Sequence, residues 1–336
     1  MFSLLYALKA FFIGLLFSLV LTKPLIFWLK KRGVQDQIHK DYCETLVLLH
    51  KDKARIPTAG GLVFVCAVIL VFLVLLPWDL WLTWFFVGVA LLWGWLGWHD
   101  DQIKNQRKTG HGLSAKRKFL IQNGLAVGAV IPIMAAYKES FLLMQLPFIG
   151  GISLPNCWLS YLFCFTIATL AIVGTSNSVN LTDGLDGLAA GAMVMACLGM
   201  LVVTFASSAP WTLVCGVLLA ALAGSCLGFL YYNRSPARIF MGDTGSLFLG
   251  GMLGISAVLL RAEFMLLFMG GIFVLESLSV IIQVGSCKLR KKRVFLCSPL
   301  HHHYEYKGMS EKAVVRNFWF VEFVCVVIGI VAVFWN

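Results

Sequence analysis

Residues Asn177-Ser-Val-Asn180-Leu-Thr-Asp183-Gly-Leu-Asp186 place two amides and two carboxylates at every third position, between apolar runs over 157–175 and 187–207. Each flanking run approaches the roughly 20 residues that a helix needs to cross the hydrocarbon core of a bilayer. If the segment is even partly helical, this spacing turns all four polar groups toward one face. Lipid penalises such groups heavily, so they must face protein, a water-filled cavity or the membrane surface. The stretch therefore reads as two spans meeting where a cation or polar ligand is held.

The rest of the chain repeats the pattern. Apolar residues make up 60% of the 336 and charged residues 13%, against about 25% charge in an ordinary soluble domain; the mean hydropathy is +0.86. Long apolar stretches run approximately over 3–29, 61–78, 81–99, 119–137, 157–175, 187–207, 211–231, 245–260, 264–286 and 318–335. The expected fold is all-α, a single polytopic membrane domain over 1–336 with about ten transmembrane helices. The first stretch lacks a basic leader and is too long for a cleaved signal peptide, so it reads as a retained span, with Pro24 tolerated as a kink. Of the ten cysteines, Cys66, Cys164, Cys197, Cys215, Cys226 and Cys325 lie in apolar runs without repeated CxxC spacing. They read as small buried residues, not as disulfide partners or zinc ligands.

Orientation follows from the basic residues. Numbering the connections in order, the odd ones hold 23 of the 27 Lys and Arg, and the even ones hold only Lys138 and Arg261. By the positive-inside rule the odd connections are cytoplasmic and both termini lie on the non-cytoplasmic side. The net charge of +11 is mostly this topology signal and calls for no nucleic acid.

Several polar constellations fall in those odd connections. The third opens with His99-Asp100-Asp101-Gln-Ile-Lys104, where a continuing helix lets the acids share a face with Lys104; a solvated helix end is the plainer reading of this element alone. In the fifth, a helix cap accounts for Asn180 or Thr182, but not for Asn177, Asn180, Asp183 and Asp186 together. The seventh contains Tyr232-Asn233-Arg234 and then Phe240-Met-Gly242-Asp243-Thr-Gly245-Ser246. Glycines around a carboxylate let backbone approach a phosphate, although Asp243 also suits a cap. The ninth carries His301-His302-His303 after Pro299. Histidine is a metal ligand or general base, but adjacent residues do not all turn toward one ion, and no Cys–His spacing points to zinc. In the first, Lys51 to Gly61 is a basic, turn-rich entry to the second span, which the orientation signal also explains. Segment 304–316, with Ser310 before Glu311, suits a short interfacial helix. Glu276 and Gln283 share a face of the ninth span, where an interhelical hydrogen bond is the plainer reading.

The coincidence of side is what joins these signals, since the even connections hold nothing comparable. Carboxylates suit a hard cation, and Mg²⁺ takes one or two of them with water and substrate phosphate. Nearby lysines would neutralise phosphate oxygens. A Mg²⁺-assisted phosphoryl-transfer site at the inner membrane surface is the expectation.

Asp100-Asp101-x-x-Lys104, Asn177-x-x-Asn180-x-x-Asp183-Gly-Leu-Asp186-Gly187-Leu-Ala, Phe240-Met-Gly-Asp243-x-Gly-Ser and His301-His302-His303 occur in one order from about Lys53 to the last helix. With them the chain resembles the phospho-N-acetylmuramoyl-pentapeptide transferases, within the polyprenyl-phosphate N-acetylhexosamine-1-phosphate transferase superfamily. The uninterrupted triplet and Pro57-Thr58-x-Gly-Gly look like the muramoyl-pentapeptide branch. The resemblance implies transfer of phospho-N-acetylmuramoyl-pentapeptide from its UDP carrier to undecaprenyl phosphate. The products are UMP and the first lipid-linked peptidoglycan precursor, which places the chain in cell-wall biogenesis, cell shape and division. It implies a multi-pass protein of the bacterial cytoplasmic (inner) membrane with a cytoplasm-facing site, Mg²⁺ as cofactor, and room for a homodimer.

By resemblance, Asp100, Asp101, Asp243 and His302 are catalytic, and Asp243 is the metal ligand. Lys104 and Lys116 lie near the phosphates. Asn177, Asn180, Asp183, Gly184, Leu185, Asp186 and Asn233 belong to the substrate site, with Phe240 stacking on uracil, Lys53 bonding it, and His301 and His303 flanking His302. Arg55-Ile56 departs from the family's Gly-Thr before the proline and bears on the loop carrying Lys53. In direct attack by the lipid phosphate on the β-phosphorus, a carboxylate such as Asp100 takes the last proton; a two-step route passes through a phosphosugar–Asp intermediate. Direct attack is the simpler. The nearest rival is a sister transferase using UDP-N-acetylglucosamine. A divalent-cation or proton-coupled transporter is the rival of another class, and it would place its acids at mid-membrane on broken helices of two repeats.

Overall fold

The computed structural model describes residues 3–35, 56–107, 112–209 and 211–335. In chain order its helices are α1 (Leu4–Lys31), α2 (Leu62–Leu75), α3 (Trp81–Arg107), α4 (Ala115–Tyr137), α5 (Trp158–Thr182), α6 (Leu188–Ala206), α7 (Thr212–Asn233), α8 (Gly242–Leu259), α9 (Leu266–Met269), α10 (Gly271–Arg290), α11 (Leu300–Tyr306) and α12 (Glu311–Phe334). Among the described residues nine are long and apolar enough to cross a membrane, so the chain is an all-α polytopic membrane protein. The expected span over 61–78 is the exception: its helix, α2, has only 14 residues, about 21 Å at the rise of an α-helix. Pro77 follows its extended C-cap Leu76, and a residue before proline is pushed out of helical geometry. At the other end Gly60 and Gly61 donate to the carbonyls of Phe240 and Met241, which draws the entry loop inward.

Side-chain size decides which face of each helix turns inward. On α1 the large residues Leu4, Leu8, Phe12, Leu16 and Val20 are exposed four apart, while Ala7, Ala10, Gly14 and Ser18 are buried. This inverts the pattern of a soluble helix and suits one with lipid outside and a close protein neighbour inside. The neighbour is α7, where a Cβ on Gly224 would strike the Phe11 carbonyl. Pro24 is accommodated within α1.

Helix α8 is the axis of the bundle, buried along its length from Asp243 to Leu259 and flanked by α3 and α5. One end carries the acidic motifs. At the other, strands β1 (Leu143–Leu146) and β2 (Gly150–Ser153) form an antiparallel hairpin that the all-helical expectation omits. Arg261 holds it, donating from Nε to the Leu143 carbonyl at 3.0 Å and accepting from Gln145 N at 2.8 Å. Its guanidinium pairs with buried Glu263 and lies over Phe141.

Two other expectations change. The ninth span breaks at Gly270, and Glu322 of α12 accepts from Ile272 N at 2.8 Å in the first turn of α10. Segment 304–316 is not one interfacial helix: α11 ends at Tyr306, and Ser310 opens α12, which runs on to Phe334. The turn at Gly308, with φ of +87°, separates the two, because glycine adopts that left-handed geometry freely.

Candidate active site

Four helix ends meet at the acidic end of the bundle: the last turns of α3 and α5 and the first turns of α4 and α8. Helices α3 and α5 run on past the apolar stretches that mark them in the sequence, to Arg107 and Thr182, and so carry Asp100, Lys104, Asn177 and Asn180 into the site. Asp243, in the first turn of α8, accepts from Lys104 Nζ at 2.6 Å and Asn180 Nδ2 at 3.1 Å, and its second oxygen pairs with Lys118. Asp100 accepts from Leu113 N at 2.7 Å and lies 3.0 Å from Lys104 and 3.3 Å from Lys118. Two ammonium groups thus bridge two carboxylates. The acids are at most 9% exposed, while the Lys104 and Lys118 side chains are 30% and 17% exposed. The cations therefore lie toward the opening and the acids beneath.

Asp101 has a different task from its neighbour. Its Oδ1 accepts from Asp243 N at 3.0 Å, and its Oδ2 from Thr244 N at 2.9 Å and Thr244 Oγ1 at 2.6 Å. Two of the four orphan N–H groups at the start of α8 are thereby satisfied by a side chain from another helix. Asp101, one of the acids that the resemblance counts as catalytic, uses its carboxylate here to fix Asp243 and the start of α8. The approach of α3 to α8 depends on Gly97, where a Cβ would strike the Asp243 carbonyl.

The opening motif divides where α5 ends. Asn177 donates to Gln122 Oε1 at 3.1 Å and to Val173 O, and Asn180 reaches Asp243 and, at 2.8 Å, Ser246 Oγ. Asp183 is the C-cap of α5 and half-buried. Gly184 is exposed and Leu185 buried. Asp186 accepts from Ala237 N at 2.9 Å, and its own N–H donates to Glu311. Because the helix stops at Thr182, Asp183 and Asp186 lie beyond it, and helical spacing does not govern where all four polar groups turn.

Some expected substrate residues brace loops. Asn233, 3% exposed, accepts from Gly187 N and donates to the Ile239 carbonyl, tying the fifth connection to the seventh. His303 Nδ1 accepts from Leu296 N at 3.1 Å, which requires that nitrogen to be unprotonated; burial and then the nearby Lys307 charge lower its pKa accordingly. His302 Nδ1 lies 2.7 Å from Glu305, and His301 Nδ1 lies 2.9 Å from Glu276. Phe240 is half-buried, its backbone paired with Pro57 and Gly60. Lys53 and Arg55 lie outside the described residues.

Lys116 is exposed, and the cation from this stretch that meets the two carboxylates is Lys118. Two residues further along a helix turn the side chain by about 200°, enough to exchange outside for inside. Gln122, one turn beyond Lys118, is buried and donates to Ser176. A polar residue inside an apolar span marks its inward face, and Lys118 is the cation in phase with it.

Residues 83–261 match the family model described as glycosyl transferase family 4. The chain is 79% identical over 329 residues to the phospho-N-acetylmuramoyl-pentapeptide-transferase of Chlamydia muridarum, covering 98% of each chain. The chain belongs to this transferase family. It is also 75% identical over 334 residues to the enzyme of that name from Chlamydia trachomatis serovar D, with 99% of each covered, and 51% identical over 330 residues to that of Chlamydia caviae, with 97% of this chain and 94% of the relative covered. The family model spans α3 to the end of α8, the helices that carry the bridged carboxylates.

Proposed function

We propose that this chain transfers phospho-N-acetylmuramoyl-pentapeptide from its UDP carrier to undecaprenyl phosphate, releasing UMP, at the cytoplasmic face of the bacterial inner membrane. The reading is supported by the bridge of Lys104 and Lys118 across Asp100 and Asp243 at one end of the bundle, together with membership of the family whose relatives bear that activity's name. Both lysines are reachable, and phosphates offer them oxygens at the charge–charge distances they now keep with the acids. The basic connections that surround this end support its cytoplasmic placement.

The donor set fits Mg²⁺. Asp243 is a hard oxygen ligand, Asn180 and Ser246 lie beside it, and the ammonium groups that stand on its carboxylate mark where a dication would supply equal charge. When bound there, Mg²⁺ would offset charge on the phosphates. The remaining work falls to the chain. Lys104 and Lys118 turn onto phosphate oxygens and hold the two reactants in line. Asp100, released from them, accepts the last proton of the lipid phosphate. The phosphate oxygen then bonds to the β-phosphorus, and the bond to UMP breaks.

Release of UMP from the UDP-muramoyl-pentapeptide, measured with and without polyprenyl phosphate and Mg²⁺, tests this. Turnover should require both. A preference for UDP-N-acetylglucosamine would move the chain to the sister activity, and UMP exchange without lipid would replace direct attack by the two-step route.

A further inference from the structure

Glu276 of α10 lies wholly inside the bundle, yet its carboxylate is directed at the histidine triplet. Its Oε2 accepts from Leu300 N at 2.6 Å, and its Oε1 from His301 N at 3.3 Å and His301 Nδ1 at 2.9 Å. Both side chains are buried, at 0% and 1% exposure. The oxygen that faces Nδ1 already accepts from His301 N, and as an acceptor it is matched by a proton on Nδ1 of His301. Nε2 is then the one ring nitrogen left to act. It is buried and has no hydrogen-bond partner among the described residues, which is rare for a polar atom in a folded interior. It abuts Gly184, whose missing side chain leaves the ring its room: a Cβ there would strike Nε2. Gly184 is exposed and lies four residues beyond Asn180, which touches Asp243.

We infer that Glu276 is a positioning residue for the transfer reaction: it fixes the His301 tautomer and holds Nε2 under Gly184, where a hydrogen-bonding group of the donor's sugar-diphosphate portion meets it. The inference rests on the transferase reading. A carboxylate that only capped the start of α11 would need Leu300 N and His301 N; the third bond, to Nδ1, is what transmits a role to the ring. Such a partner fixes ring orientation as well as tautomer.

Glu276→Gln separates the two roles. Its carbonyl oxygen still accepts from Leu300 N, the stronger of the two backbone bonds, while its NH₂ takes the place of Oε1, gives up the longer bond from His301 N, faces Nδ1 and drives the proton to Nε2. In enzyme labelled with ¹⁵N-histidine, the His301 resonances, identified by their absence in His301→Gln, should switch from the Nδ1–H to the Nε2–H pattern. With UDP-muramoyl-pentapeptide, undecaprenyl phosphate and Mg²⁺, kcat should fall about 10–100-fold, with the donor KM within about twofold. The double variant should be no slower than His301→Gln alone, because both changes disable one unit. Glu276→Asp, which keeps an acceptor, should restore the Nδ1–H pattern and part of the rate, and it serves equally if the Gln variant unfolds. An unchanged ¹⁵N pattern, or losses that multiply in the double variant, overturns the inference. Absence of UMP release by the unmutated enzyme would sink the transferase reading instead, whatever the variants do.

Discussion

Lys118→Ala is the sharpest test of the site, because the family resemblance points to Lys116 and the geometry to Lys118. Lys118 touches Asp100 and Asp243, so its removal leaves Lys104 as the only ammonium group in contact with both acids among the described residues. Breaking a buried pair costs about 3–5 kcal/mol when the surviving charge is stranded. Here Lys104 remains, and the Lys118 side chain is 17% exposed, so the cost to the fold lies at the low end of that range. The cost to turnover is larger in consequence. One preorganised positive group withdrawn from developing phosphate charge is worth roughly 100- to 1,000-fold in kcat. UMP release in detergent, at saturating donor and lipid, should fall by that factor in Lys118→Ala and by less than about twofold in Lys116→Ala, with Lys118→Arg between them. Equal losses at 116 and 118, or a Lys118→Ala enzyme within about tenfold of the parent, would refute the bridged-carboxylate account.

Asp243→Ala should abolish UMP release, by about 1,000-fold or more, while the protein stays folded in detergent by size-exclusion chromatography. Gly97→Ala forces α3 off α8, costing about 1–3 kcal/mol of stability and, by displacing Asp243, about 100-fold in kcat/KM. Asp101→Ala strands two buried N–H groups, so its melting midpoint should drop by the equivalent of about 2–4 kcal/mol; a midpoint like the parent's would contradict the capping role. Burial pushes the Glu263 carboxyl up from 4.5 to about 7, against the opposing pull of Arg261. A raised folded pKa means that the folded state holds the proton more tightly. This contribution to stability is therefore full below about 4.5 and lost as pH rises to about 7. Glu263→Gln should flatten that part of the melting-temperature profile and leave kcat alone.

Much of this arrangement is legible in the chain. Apolar run lengths locate the helices, and the spacing in Asp100–Lys104 and the glycines around Asp243 single out the residues that meet. What is not legible depends on rotation and on helix ends. Lys116, Arg117 and Lys118 are equivalent as text, and only the phase with Gln122 separates them. Asn177 to Asp186 reads as one face until α5 is seen to stop at Thr182. Asp100 and Asp101 look like a matched pair because nothing local reveals that the start of α8 lies 142 positions away against one of them. Glu276 reads as an ordinary interhelical contact, since its partner histidine comes 25 residues later in a connection with no periodicity to read. The hairpin is too short, at four residues per strand, to stand out beside spans of twenty.

The division of labour between the two adjacent acids has a practical meaning. On the proposed function an incoming anion should compete with Asp100 for Lys104 and Lys118, whereas Asp101 is sealed beneath Gly242 and Thr244. On the proposed function, variation at 100 should alter what the enzyme recognises and turns over. Variation at 101 should shorten the time the enzyme survives in working shape, so a screen scored on product alone would confuse a lost reagent with a lost foundation.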